Sequence, residues 1–266
     1  MSEKIEKKKR GRPRSKPGVI DFEKVARHKI SVKNYLTRNF LPKLTLTEFK
    51  FFMYLLSLEY AADPEHRLAA NVERICDIRF VAKNVLNDKM FNVERNLKNF
   101  FTNKARLFIQ IPTGSNKKNY DSFPIFTLIG YRDEEKIFKY TFSELFLSYV
   151  HHDGRNFAES LLANYLSFKK VHSAYFYWYL CSSIFKGAKN YELVFTVKEL
   201  AQILNVPTKD DNEKYVFKDL KKDVLEGVID EINETKDITI KLISYSVAQD
   251  KVVISCSRGK VLRYRG

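Results

Sequence analysis

The chain has 266 residues, with 47 Lys and Arg against 32 Asp and Glu, a formal net charge of +15. A hydrophobic share of 44%, including 21 Phe and 15 Tyr, excludes wholesale disorder, and the length suits one large domain or two small ones. The charge points to a polyanionic partner (DNA, RNA or an anionic membrane face), the bland alternative being a soluble protein that is merely basic.

Residues 1–18 hold eight basic side chains and two acidic ones, +6 with almost no apolar content. Such a segment cannot bury a core and is expected to be a disordered arm when free. Within it, Arg10-Gly11-Arg12-Pro13-Arg14 resembles the centre of an AT-hook. Proline extends the backbone, glycine permits close approach, and arginine suits the negative potential of a narrow A·T-rich minor groove. An unspecific basic arm is the alternative. No apolar segment follows that would make a secretory signal.

From Leu44 the pattern becomes helical. Thr47 is a candidate N-cap with Glu48 in the first turn, and Phe49, Phe52, Met53, Leu56 and Tyr60 keep the spacing of a buried face until Asp63-Pro64. A second, broken helix is expected over 69–87 and a third over about 91–102. Arg106–Pro112 reads as a strand, Gly114–Asn119 as a basic turn, and Phe123–Tyr131 and Lys136–Phe142 as two more strands. Three helices followed by a hairpin with a basic tip is the order of a winged helix-turn-helix domain.

The order then recurs. A helix over 143–149 leads to one long apolar helix over about 160–186, ending at Gly187. Thr196 caps a short helix, a long helix runs from about Phe217 to Thr235, and Ile238–Tyr245 with Val252–Ser257 makes a hairpin. Arg258, Lys260, Arg263 and Arg265 form a basic end. The expected fold is therefore α+β: a disordered basic arm (1–18), an N-terminal winged helix (19–150) and a C-terminal winged helix (151–266).

Several chemistries lack their residues. There is no Gly-x-x-x-x-Gly-Lys-Ser/Thr phosphate loop, no Cys-x-x-Cys and no histidine pair at helical metal spacing; His151 and His152 are adjacent and read as loop residues. No catalytic residue, metal or cofactor is expected. Tyr175-Phe176-Tyr177-Trp178-Tyr179 reads as core. Cys76, Cys181 and Cys256, odd in number and far apart, read as small buried residues of a reducing, cytoplasmic setting. No apolar run reaches the roughly 18 residues of a membrane span.

Over residues 166–245 the series Leu200…Leu204-Asn205-Val206, Phe217…Leu225…Glu231-Ile232-Asn233…Thr235…Asp237-Ile238 resembles the iteron-binding plasmid replication initiator proteins, and Leu46-Thr47-Glu48-Phe49 extends the likeness more loosely to the first half. The resemblance implies two tandem winged helices and monomers that place both on one origin repeat. It also implies opening of A·T-rich DNA, recruitment of the host initiator and helicase, homodimers that repress their own promoter, and no covalent chemistry. The hook-like tail departs from that pattern. The alternatives are a transcriptional repressor of the same fold and a metal-dependent nicking (rolling-circle) initiator.

A recognition helix meets base edges with its N-terminal part. In the second domain the candidate contacts are Lys214, Tyr215, Lys218, Lys221 and Lys222; the alternative is a solvated face balanced by Asp219, Asp223 and Glu226. In the first they are Asn92, Arg95, Asn96, Lys98 and Asn99, since Arg suits guanine and Asn adenine; an ordinary polar helix face is the alternative. Lys117 and Lys118 would form a wing, or else a plain loop, and Arg10, Arg12 and Arg14 the minor-groove arm.

Overall fold

The structure, a computed structural model, describes residues 28–34, 44–62, 72–102, 108–112, 120–150, 157–207, 216–246 and 248–260. The arm at 1–18 lies outside them.

The central helix α1 (Leu46–Ala62) starts earlier than a Thr47 cap would allow. Thr45 donates its N–H to Glu48 Oε2 at 2.7 Å and accepts the Glu48 N–H on Oγ1 at 3.4 Å. This reciprocal capping box needs the Thr-x-x-Glu spacing, which Thr47 lacks. The helix is buried on every side: Phe49, Phe51, Phe52, Met53, Tyr54, Leu55 and Leu56 are all at or below 2% exposure. It is the axis of the core rather than a helix with one apolar face.

Strand β2 (Arg74–Asp77) replaces the first half of the helix expected over 69–87. It pairs antiparallel with β6 (Ile137–Phe142), a partner more than sixty residues away that local patterning cannot announce. Asp77 then caps α2 (Ile78–Phe80, continued by a π-helical turn Val81–Val85), accepting the N–H groups of Arg79 and Phe80. Helix α3 (Met90–Thr102) follows. Next come a hairpin of β3 (Phe108–Pro112) and β4 (Tyr120–Pro124), then β5 (Phe126–Arg132) and β6. The single strand expected over Phe123–Tyr131 is thus two. Pro124 has no N–H for a ladder. The carbonyls of Pro124 and Ile125 are taken by the Ser143 hydroxyl at 2.5 Å and the Ser143 N–H at 2.8 Å. Helix α4 (Glu144–Val150) closes this part.

The long helix expected over 160–186 is also divided, into strand β7 (Phe157–Leu161), α5 (Leu162–Ser167) and α6 (Val171–Ser183). β7 pairs antiparallel with β1 (Lys29–Lys33), so this pair straddles residue 150. Between α5 and α6, Phe168 and Lys170 are extended. Lys50 of α1 donates to the Leu166 carbonyl at 2.8 Å, and Glu231 accepts the N–H groups of Lys169 and Lys170 at 3.3 Å each.

The remainder is β8 (Tyr191–Phe195), α7 (Val197–Ile203), α8 (Phe217–Leu220, a π-helical turn Lys221–Leu225, then Glu226–Glu234), β9 (Ile238–Ser246) and β10 (Lys251–Arg258). Its sheet runs β8-β10-β9, and the earlier one runs β2-β6-β5. Each half therefore reads helix, strand, helix, helix, strand, strand, with the last strand in the middle of the sheet. That is a winged helix, twice. One apolar cluster spans both, joined where Phe49 of α1 meets Tyr175 and Trp178 of α6 at ring-centroid distances of 4.8 and 6.3 Å. The aromatic run at 175–178 is core, as its composition suggested.

Candidate nucleic-acid interface

In the second winged helix, Thr196 and Glu199 form a capping box that starts α7, and Asp250 in the β9–β10 turn accepts the Val197 N–H at 3.4 Å. The wing tip is thereby tied to the first helix of the helix-turn-helix. Helix α8 buries Phe217, Leu220, Leu225, Val228 and Ile232. Lys218, Lys221 and Lys222 are exposed in its first two turns. Acidic residues Glu226, Asp230, Glu231 and Glu234 dominate the rest, so the cationic end is the N-terminal one, interrupted by exposed Asp219 and Asp223. Lys221 reaches Glu226 at 3.7 Å. Lys214 and Tyr215 lie outside the described residues.

In the first winged helix, α3 buries Val93, Leu97 and Phe100 and exposes Arg95 and Lys98. Asn92 and Asn96 are half-buried at its flank, and Asn92 donates to Asp88 Oδ1 at 2.9 Å. That bond and the Lys89 N–H hold the Asp88 carboxyl below the usual carboxylate range. Asn99 belongs to the helix, but its side chain lies outside the described residues. The Arg95 guanidinium lies 5.9 Å from the centroid of Phe91, which is 73% exposed.

The wing of this domain is stapled to α3. Glu94 pairs with Lys136 at 2.6 Å and accepts the Tyr131 hydroxyl at 2.6 Å, while Lys136 also meets Asp133 at 2.9 Å. The Lys136 and Tyr131 bonds hold the Glu94 carboxyl low. By strand order the wing is the β5–β6 turn, and its exposed tip carries Asp133, Glu134 and Glu135. Lys117 and Lys118 fall between β3 and β4, an additional hairpin, and lie outside the described residues, as do Arg10, Arg12 and Arg14. Between α3 and β5 lies a groove of about 660 Å³ lined by Phe91, Glu94, Arg95, Lys98, Tyr131 and Asp133, among others.

Arg258, expected in a basic end, is instead 5% exposed. It lies 3.7 Å from Asp237 and donates to the carbonyls of Cys181 at 2.8 Å, Ile184 at 3.2 Å and Glu159. Its guanidinium neutralises the C-terminal end of α6, where free carbonyls gather. Lys260 is exposed, and Arg263 and Arg265 lie outside the described residues.

Among the exposed apolar side chains of the described residues, two stand at the starts of the candidate recognition helices, and the sequence alone marks neither as a candidate contact. Phe91 stands in the first turn of α3, and Val216, 62% exposed, is the N-cap of α8. The only available signal was an apolar residue at a helix start outside the buried stripe. An apolar tip there matches the thymine methyl in the major groove. Among the described residues no cluster of three metal-ligating side chains occurs, and no helix is long and apolar enough to cross a membrane. The three cysteines are buried and unbridged, and burial pushes the Cys181 and Cys256 thiols up to about 12.

No curated protein matches the chain. Among solved structures it is similar to the Pi initiator protein, crystallised in complex with iteron DNA: 18% identity, TM-score 0.70, covering 89% of this chain and 99% of that one. At that identity the likeness shows the fold. The family model described as "Initiator Replication protein, WH1" matches residues 29–181, and "Initiator Rep protein, WH2" matches residues 196–251. With tandem winged helices and two successive family matches that together span most of its length, the chain belongs to the initiator Rep protein family.

Proposed function

We propose that this chain is a plasmid replication initiator that binds the direct repeats of its own origin as duplex DNA, one winged helix to each part of a repeat. The observation that carries the reading is the duplicated topology, in which both candidate recognition helices expose cations, α8 with Lys218, Lys221 and Lys222 in its N-terminal half and α3 with Arg95 and Lys98 along its middle. The solved relative was crystallised on iteron DNA. In this reading α8 positions itself with Lys218, Lys221 and Lys222, with Lys214 and Tyr215 just ahead of it. Helix α3 reads bases with Arg95 and the asparagines Asn92, Asn96 and Asn99, while Lys98 meets phosphate. Lys117 and Lys118 add a phosphate contact, and Arg10, Arg12 and Arg14 lie in A·T-rich minor groove. The acidic β5–β6 tip keeps clear of the backbone. Origin opening, recruitment of the host initiator and helicase, self-repression as a dimer, a cytoplasmic location and the absence of catalysis complete the proposal.

The test is a gel shift with the repeats flanking the gene against random duplex of equal length. Preference for the repeats supports the proposal, and equal binding rejects it. Neutralising about 8–10 phosphates would lower affinity roughly 10³–10⁵-fold between 50 and 200 mM salt; a flat response also rejects it. A covalent adduct with supercoiled plasmid and Mg²⁺ or Mn²⁺ would mark a nicking enzyme instead. Loss of plasmid maintenance on gene deletion, rather than simple derepression, separates an initiator from a repressor.

A further inference from the structure

The buried residues of α8 follow an irregular spacing. Phe217, Leu220, Leu225, Val228 and Ile232 are all at or below 8% exposure, and the step from Leu220 to Leu225 is one residue too long. Five residues of α-helix turn through about 500°, which would swing Leu225 about 140° away from Leu220 and towards solvent. The backbone instead widens: the Glu226 N–H bonds to the Lys221 carbonyl, five residues back. A π turn holds about 4.4 residues, so the same five residues cover about 410° and Leu225 returns to the core. Such turns are rare, well under about 1% of residues, and gather at functional sites.

The outer face changes with it. In continuous α-helix Lys218 and Lys222 would be about 40° apart. Two of the four intervening steps fall in the π turn, which brings them to about 360°, onto one line along the helix. Lys221 is turned towards the flank, where Glu226 meets it at 3.7 Å.

We propose that the π turn in α8 is a positioning device for DNA reading: it aligns Lys218 and Lys222 on a single edge facing the groove and sets Lys221 aside. The proposal rests on the DNA-binding reading above. Beyond the bases read by α3, Lys218 and Lys222 then contribute to the preference for one sequence, while Lys221 adds only unspecific attraction.

The experiment uses the full chain and the duplex that the wild-type protein enriches from a random library, with a scrambled duplex beside it. Fluorescence anisotropy is expected to show the ratio of the two affinities falling roughly tenfold for Lys218→Gln and for Lys222→Gln. Lys221→Gln should weaken both duplexes alike. Deleting Asp223 restores a regular helix with Leu220 and Leu225 four apart. That variant should keep its helical circular dichroism and thermal midpoint and still lose at least tenfold in preference. Equal losses of preference for Lys221→Gln and Lys222→Gln overturn the proposal, as does a folded deletion variant with full preference. If the deletion variant does not fold, the lysine series alone decides. A wild-type chain that enriches no duplex refutes DNA binding itself, a separate failure.

Discussion

Asp237 and Arg258 meet at 3.7 Å with side chains 0% and 2% exposed, beside the ends of β9 and β10. The Asp237 carboxylate also accepts the Tyr177 hydroxyl at 2.5 Å, and Tyr177 accepts from Asn164 at 2.7 Å. Arg258 in turn holds carbonyls of α6 and β7. The ion pair joins two points of the second winged helix, and through its bond to the Glu159 carbonyl Arg258 also ties β10 to β7, the strand paired with β1.

Breaking that pair by removing one member leaves a buried charge uncompensated. Arg258→Met is expected to destabilise the protein by about 3–5 kcal/mol in urea unfolding. Adding Asp237→Asn to it should recover part of the loss, because the orphaned carboxylate is gone. A double variant that is additive or worse would show that the two side chains do not act as a pair.

The Glu94–Lys136–Tyr131 staple makes a pH prediction. Lys136, and then Tyr131, lower the Glu94 carboxyl from its ordinary value. A depressed carboxyl contributes stability that is present above its unfolded pKa, about 4.3, and is lost as pH falls through the lower folded value. Glu94→Gln should therefore be less stable than wild type at pH 7, with the gap closing as pH drops below about 4. A gap independent of pH would show that the staple is not electrostatic.

Truncation of residues 1–18 removes a charge of +6. Affinity should drop, and the slope of log affinity against log salt should become shallower by up to about 5. Repeat preference should survive, since the removed cations would meet phosphate and minor groove. Its disappearance would make the arm a sequence reader.

Phe91→Ala and Val216→Ala remove exposed side chains and should leave the thermal midpoint nearly unchanged. Each should cost up to about 1 kcal/mol in binding to a duplex with thymine at the contacted step, and less when uracil, which lacks the methyl, replaces that thymine. Equal losses on both duplexes would argue against methyl contacts.

Much of the second winged helix was legible from local signals. The Thr196-x-x-Glu199 box, the apolar stripe from Phe217 and the alternating strands of the last hairpin each act within a few residues of themselves. The 3-5-3-4 spacing in α8 was also written there, yet adjacent apolar Val224 and Leu225 could each continue the stripe, and only burial shows that Leu225 is core and the turn is π. For α1, two threonines could cap, and only the reach of Glu48 back to Thr45 separates them.

By itself, the chain's sequence determined the charge and its concentration in an arm, at the start of one candidate recognition helix and along the other, the doubled helix-to-hairpin order and the aromatic core. All of these follow from periodicity and composition, which are local. Tertiary structure alone decided that β2 and β7 are strands, since their hydrogen-bond partners are distant in the chain. It also decided that the β5–β6 wing is acidic and that Arg258 belongs to the core. A basic side chain near a basic end looks the same in sequence whether it faces DNA or a buried carboxylate. Only the fold, by bringing Asp237 and the carbonyls of α6 around it, distinguishes the two.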